Sequence, residues 1–275
     1  MNQGEPSKEE LLRAYHWLDE EKHPHRLLRL ETRLPTKLQR ESRDEYRILM
    51  TMILSEETDD YTLSLALRKF FLAYPDMNSL EHLDNMDDAR NLLRYYGFKT
   101  EGYKAERNVK RFCCLNKLYF GQWNANFLPD AIATLETSKM GYGQKFTRTL
   151  RAYWKGEQYV LPLDGQGLKA LHAKGYYERD KNGSVARVDI ESKLKDVADI
   201  FLIDFHELLR FRGQTGGRPP EHFTKADIKV VIGWNAWRLL CSSKRAEITE
   251  DWIYTHLVTD ESITRELWGF LSGNQ

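Results

Sequence analysis

This sequence predicts an all-α fold, and three observations lead there. Apolar residues recur at three- and four-residue spacing in one segment after another. Capping residues and glycines punctuate those segments where helices start and stop. Alternating β-branched runs, the mark of strands, are scarce.

The elements can be justified in chain order. Ser7 and Glu10 stand at capping-box spacing, and Leu11, Tyr15 and Leu18 then share one helical face. His23-Pro24-His25 interrupts the pattern. After Asp44, residues Tyr46, Leu49, Met50, Ile53 and Leu54 predict an amphipathic helix, and Ser55 to Asp60 a turn rich in capping side chains. Leu63, Leu67, Phe70 and Phe71 form the next stripe. Leu92, Leu93 and Tyr96 run up to Gly97, a fitting helix C-cap. Ala105, Val109 and Phe112 open another helix, and Phe146, Leu150 and Tyr153 mark one beyond Gly143. One segment reads differently: Tyr176 to Val188, with Asn182-Gly183 at its centre, predicts a small β-hairpin. Val197, Ile200, Phe201, Phe205, Leu208 and Leu209 then predict a helix, and Gly213 to Pro220 a loop and boundary. The remainder, with Trp234, Trp237, Trp252 and Trp268, reads as helical.

Composition excludes several classes. No apolar run is long enough to span a bilayer, so no membrane partner is expected. The polar, helix-like start argues against a secretory signal, and the expected location is the cytoplasm and nucleoid, or a nucleus. Three cysteines make no disulfide framework and exclude a four-cysteine iron–sulfur cluster; without a Cys-x-x-Cys pair, a thiolate zinc site is not expected either. Formal net charge is zero, yet Lys99 to Gln158 holds eleven Lys and Arg against five Asp and Glu. Phosphate binding depends on charge at the contact face, although a solvated basic face explains the same excess.

The most informative stretch is Leu135 to Lys145, where Gly141 and Gly143 flank Tyr142 between short helices. Glycine permits positive φ and close backbone approach, and the N–H groups at the start of the following helix bind a phosphate oxygen. A Gly-x-Gly alone fits an ordinary loop equally well. Lys145 follows in the first turn of that helix, and Asp164 comes nineteen positions later, ending Val160-Leu161-Pro162-Leu163-Asp164.

These residues together resemble the helix-hairpin-helix–GPD superfamily of DNA glycosylases, the endonuclease III and 8-oxoguanine glycosylase group, without its iron–sulfur cluster. Leu54 to Asp60 is similar to the family's Leu-Ser-x-Gln-Thr-x-Asp segment, and Tyr96-Gly97-Phe98 with Lys104-Ala105-Glu106 to its glycine–aromatic turn leading into Lys-Ala. Asp204 to Leu209, ending Arg212-Gly213, resembles the helix that closes the fold. The order is kept from about Tyr46 to Gly213. The departures are specific. Lys139-Met140-Gly141-Tyr142-Gly143 replaces Leu-Pro-Gly-Val-Gly, Glu57 stands where endonuclease III has a Gln that enters the duplex, and Gln166 stands in place of a His.

The resemblance implies two helical subdomains flanking a DNA-binding cleft. Residues 45–155 would form one, ending in the helix-hairpin-helix; residues 1–44 plus 156–275 would form the other, with a C-terminal extension. It implies Lys145 and Asp164 as catalytic residues, and DNA contacts at Gly141, Tyr142, Gly143, Gln144, Arg148 and Glu57, with Phe98 as the wedge filling the gap left by a flipped base. No cofactor is expected, though a monovalent or divalent cation fits at the hairpin. The expected partner is double-stranded DNA bearing a damaged or modified base, bound by a monomer. Breaking a glycosidic bond builds positive charge on the sugar, which a carboxylate stabilises; a neutral lysine amine captures the anomeric carbon and permits strand cleavage through a Schiff base. An ordinary lysine pKa of about 10.4 must fall for that attack. Two alternatives stay open: a monofunctional glycosylase, in which water attacks and Lys145 holds a phosphate, and a non-catalytic DNA-binding protein. The identity of the excised base, and any role against modified viral DNA, lie beyond these residues.

Overall fold

The computed structural model describes residues 5–19, 44–122, 144–178, 183–218, 222–258 and 260–273, except 82, 84, 104 and 199. The Gly141–Gly143 turn and Asn182 therefore lie outside the described residues. Within them are twelve α-helices and no extended strand. In order these are α1 (Lys8–Asp19), α2 (Glu45–Leu54), α3 (Asp60–Ala73), α4 (Met86–Tyr95), α5 (Glu106–Gln122) and α6 (Gln144–Leu150). Then come α7 (Gly165–Ala173), α8 (Ser184–Leu194), α9 (Leu202–Thr215), α10 (Lys225–Leu240), α11 (Glu250–His256) and α12 (Glu261–Ser272).

The helix boundaries follow from side-chain caps. Ser7 and Glu10 make the reciprocal pair expected at the start of α1. Asp44 accepts from Arg47 N at 3.1 Å and Asp59 from Thr62 N at 2.9 Å, so α2 and α3 start where each carboxylate satisfies an orphan N–H. Gly97, at φ +91, closes α4: its N–H reaches the Arg94 carbonyl, and Phe98 N–H reaches the Leu93 carbonyl. Only a residue tolerant of the left-handed region makes that cap cheaply.

Buried side chains gather in two clusters. The larger joins α2 to α6, through residues such as Leu49, Phe70, Phe112 and Leu150, with Trp237, Ile253 and Leu267 from α10, α11 and α12. The smaller joins Leu11 and Tyr15 of α1 to Leu168, Ile190 and Phe205 of α7, α8 and α9. Assigning all of 156–275 to the second half is therefore corrected: the last three helices bury their apolar faces against the 45–155 segment. Gly233 is the reason α10 fits there, since a Cβ on it would lie 2.4 Å from the backbone N of Tyr61 in α3.

The β-hairpin is also corrected. Residues Ser184 to Leu194 form α8, with Ala186, Ile190 and Leu194 fully buried while Val185 and Val188 are 52% and 62% exposed. The four-residue spacing of the buried set decides the structure, and the two valines that suggested a strand face solvent. Gly213, expected in a loop, lies inside α9: a Cβ there would sit 2.0 Å from the Gln166 carbonyl oxygen of α7. The chain leaves the helix only after Thr215, with Gly216 and Gly217 in the left-handed region.

Candidate active site

Lys145 is the second residue of α6 and is exposed. The helix continues through a π-helical turn, Arg151–Lys155, that carries Tyr153 inward. Such turns are commonly retained at functional sites, since widening one turn costs backbone hydrogen-bond quality. The extended segment behind it ends at Asp164, the N-cap of α7. Asp164 Oδ1 accepts from Gln166 N at 3.0 Å and Gly167 N at 2.8 Å. Its other oxygen, Oδ2, faces Arg210 Nε of α9 at 3.3 Å.

Arg210 organises the charges here. It pairs with Asp60 at the start of α3 at 2.7 Å, with Asp164, and more distantly with Glu207 at 3.9 Å. Burial opposes its charge, and these three carboxylates outweigh burial and raise its pKa. Burial would likewise raise Asp164, but His206, Arg210 and Lys145, with the Gly167 N–H, hold that carboxyl below the usual range. Asp164 is thus an ionised, fixed carboxylate at neutral pH. Glu207 differs. Burial pushes it up to about 7 against the pull of Arg210, although Trp234 Nε1–H donates to it at 2.9 Å and Arg238 pairs with it. Burial pulls the neighbouring His206 down to about 3 against the pull of Asp164, so its ring is neutral.

Lys145 and Asp164 line one cavity of about 280 Å³. Its wall includes Asp60, Tyr153, His206, Glu207, Arg210 and Trp237. Across it, Glu56 binds Arg107 and Arg111 of α5, at 2.7 Å each, and Arg111 lies over the Phe146 ring at 4.9 Å. Two guanidiniums are thereby fixed in that wall.

The other expected site residues divide. Glu57 lines the same cavity, is exposed, and holds φ at +55, a left-handed conformation that costs a non-glycine residue of order 1 kcal/mol. Gln144 begins α6, while Gly141, Tyr142 and Gly143 fall outside the described residues. Phe98 is corrected: it is 4% exposed and packs edge-on against Phe70 with centroids 5.6 Å apart, so it belongs to the core and has no face to offer a base step. Arg148 pairs with Glu191 of α8, whose Oε1 also accepts from Leu161 N at 2.8 Å, so it also braces the segment leading to Asp164.

Sequence reading missed Arg210, Glu207, Tyr153 and Trp237 as wall residues. It also passed over Tyr103, which is 86% exposed and lies 5.9 Å from the Arg107 guanidinium. The available signal was the second glycine–aromatic pair, Gly102-Tyr103, beside the first. Among the described residues, no group of three or more His, Cys, Asp or Glu could hold a metal ion, and no helix is long and apolar enough to cross a membrane. No family model matches the chain, and neither the curated proteins nor the solved structures contain a match.

Proposed function

We propose that this chain is a DNA glycosylase that extrudes a damaged or modified base from the duplex and cuts its N-glycosidic bond, with lyase activity through Lys145. One observation carries the reading: an exposed lysine and a carboxylate held ionised line the same cavity. The C1′–N bond breaks with its electron pair leaving on the base, and positive charge develops on the sugar. Asp164 Oδ2 stabilises that charge, because Oδ1 is occupied by two backbone N–H groups and fixes the carboxylate plane. The Lys145 amine, in its neutral form, bonds to C1′, and ring opening yields a Schiff base whose β-elimination breaks the C3′–O bond. Arg107, whose side chain is about one-third exposed, supplies positive charge for a flanking phosphate. The exposed Tyr103 ring beside Arg107 is the aromatic available to fill the duplex gap, the part Phe98 does not play.

The test is a panel of duplexes, each carrying one modified base, scored for released base and for nicking. Wild-type chain should release at least one base. Asp164→Asn should slow that release about 10²- to 10³-fold, the usual loss for one electrostatic partner of a transition state, with duplex affinity little changed. Lys145→Gln should abolish nicking; if it still releases free base at the wild-type rate, water is the nucleophile and the enzyme is monofunctional. Release unaffected by Asp164→Asn, or none from any substrate, contradicts the proposal.

A further inference from the structure

A second cavity, of about 370 Å³, lies among α1, α7 and α9, and no described residue lines both it and the Lys145–Asp164 cavity. α9 gives different residues to each: Leu209 and Arg212 to this one, His206, Glu207 and Arg210 to the other. α1 brings Glu10, Arg13 and Ala14, neighbours on one helical face. The floor is apolar, from the buried side chains of Ala170, Leu171 and Leu209. The end of α7 supplies the rest. Lys174 is its C-cap, and Gly175, at φ +80, turns the chain. Gly175 N–H donates to the His172 carbonyl at 2.8 Å, and Tyr176 N–H to the Leu171 carbonyl at 3.0 Å. This double closure fixes the backbone on both sides of the turn, and Lys174 and Tyr176 line the cavity from it.

The charges around this cavity do not balance. Arg13, Lys174 and Arg212 line it with one carboxylate, Glu10, a formal excess of two positive charges. Glu10 is engaged as well, since its Oε2 accepts from Ser7 N at 2.7 Å in the box that starts α1. Burial lowers the Lys174 pKa and the Arg212 charge lowers it further, while burial also lowers Arg212. An anion seated among these cations opposes both effects. Burial and then Glu10 raise the Tyr176 phenol against the pull of Arg13, so its hydroxyl keeps its proton and can donate. Two guanidinium forks and an ammonium suit the oxygens of a phosphate. A phosphate monoester, with a second pKa of about 6, carries close to two negative charges at neutral pH and matches the excess, whereas a carboxylate carries one. The apolar floor offers a seat for the ester group, and the volume lies within the range of small-molecule pockets, about 300–1,000 Å³.

We propose that this cavity binds a small phosphate monoester, with the phosphate among Arg13, Lys174 and Arg212 and an apolar or aromatic ester group on Ala170, Leu171 and Leu209. The site is separate from the Lys145–Asp164 cavity, so the inference does not rest on the glycosylase reading.

The test is calorimetric titration of the full chain, at low ionic strength, with phenyl phosphate, inorganic phosphate and benzoate. Phenyl phosphate should bind saturably below about 1 mM and at least about tenfold more tightly than either of the others, because inorganic phosphate lacks the ring and benzoate the second charge. The double variant Lys174→Gln, Arg212→Gln should weaken phenyl phosphate at least about tenfold. Lys145→Gln should leave it unchanged. Ala14→Leu exchanges one good helix former for another, narrows the cavity and keeps every charge. It should weaken phenyl phosphate more than inorganic phosphate, and it keeps the test intact if the double variant folds poorly. No saturable binding below about 1 mM, or equal binding of phenyl phosphate and inorganic phosphate, overturns the inference. So does phenyl phosphate binding that both cavity variants leave untouched, or that is lost with Lys145→Gln.

Discussion

Asp164, on the cavity wall, carries two burdens, capping α7 through Oδ1 and pairing with Arg210 through Oδ2, and one substitution separates them. Asparagine is as good an N-cap as aspartate, so Asp164→Asn should keep the cap while losing base excision and the stability of the Arg210 ion pair. Asp164→Ala should lose the cap as well, and with it about 1 kcal/mol more of stability. Equal stability of the two variants would contradict the capping role. Phe98 and Tyr103 form a second contrasting pair. Phe98→Ala should destabilise the protein by about 3–5 kcal/mol, whereas Tyr103→Ala should change stability by less than about 0.5 kcal/mol and weaken DNA binding. Urea unfolding and a duplex titration check both. At this scale the sequence was readable where chemistry is local. Lys145 and Asp164 sit nineteen positions apart in recognisable surroundings. Arg210, Glu207 and Trp237 reach the same cavity from α9 and α10, and a single sequence contains nothing that says which residues of a buried helix face meet a distant loop. Phe98 was misplaced because an aromatic after a glycine reads the same whether it points into a core or out of it.

Helices were largely readable because caps and spacing agree at their ends, as at Ser7, Asp44 and Gly97. α8 was the exception. Local β propensity in Val185 and Val188 competed with a four-residue apolar repeat, and burial of the repeat won. Ile190→Ala should therefore cost about 2–5 kcal/mol, while Val188→Thr should cost almost nothing. A hairpin would bury alternate residues, so a large loss from Val188→Thr would contradict the helix. Gly213 was taken for a loop residue because glycine usually ends helices; here it permits contact with α7. Gly213→Ala should push α7 away from α9, and with it Asp164 from Arg210, lowering both stability and excision.

Across the whole molecule, the larger core unites α2–α6 with α10–α12, and the buried charge network of Asp60, Asp164, Glu207, Arg210 and Arg238 draws on α3, α7, α9 and α10 together. That pairing of distant segments was not readable beforehand, since the C-terminal tryptophans fit either half. The network also makes a pH signature. Native His206 titrates near 3 and an unfolded histidine near about 6.5, so the unfolded state binds more protons between those values and His206 makes stability rise with pH there. Native Glu207 titrates near 7 and an unfolded glutamate near about 4.3, so Glu207 makes stability fall as pH rises from about 4.3 to 7. The two slopes oppose each other in their shared window. His206→Gln removes the rising one, so the variant's urea midpoint should fall between pH 5 and 6.5 relative to wild type. A variant that instead gains stability over that window would contradict the burial-driven titration of this pair.

Reductive trapping is the most direct test that Lys145 and Asp164 act on one sugar. Incubated with sodium borohydride and a duplex containing an excisable base or an abasic site, wild-type chain should form a covalent adduct that peptide mapping assigns to Lys145. Asp164→Asn should trap on the abasic site but far more slowly on the intact base. No adduct on either substrate, or an adduct on another lysine that survives Lys145→Gln, would contradict it.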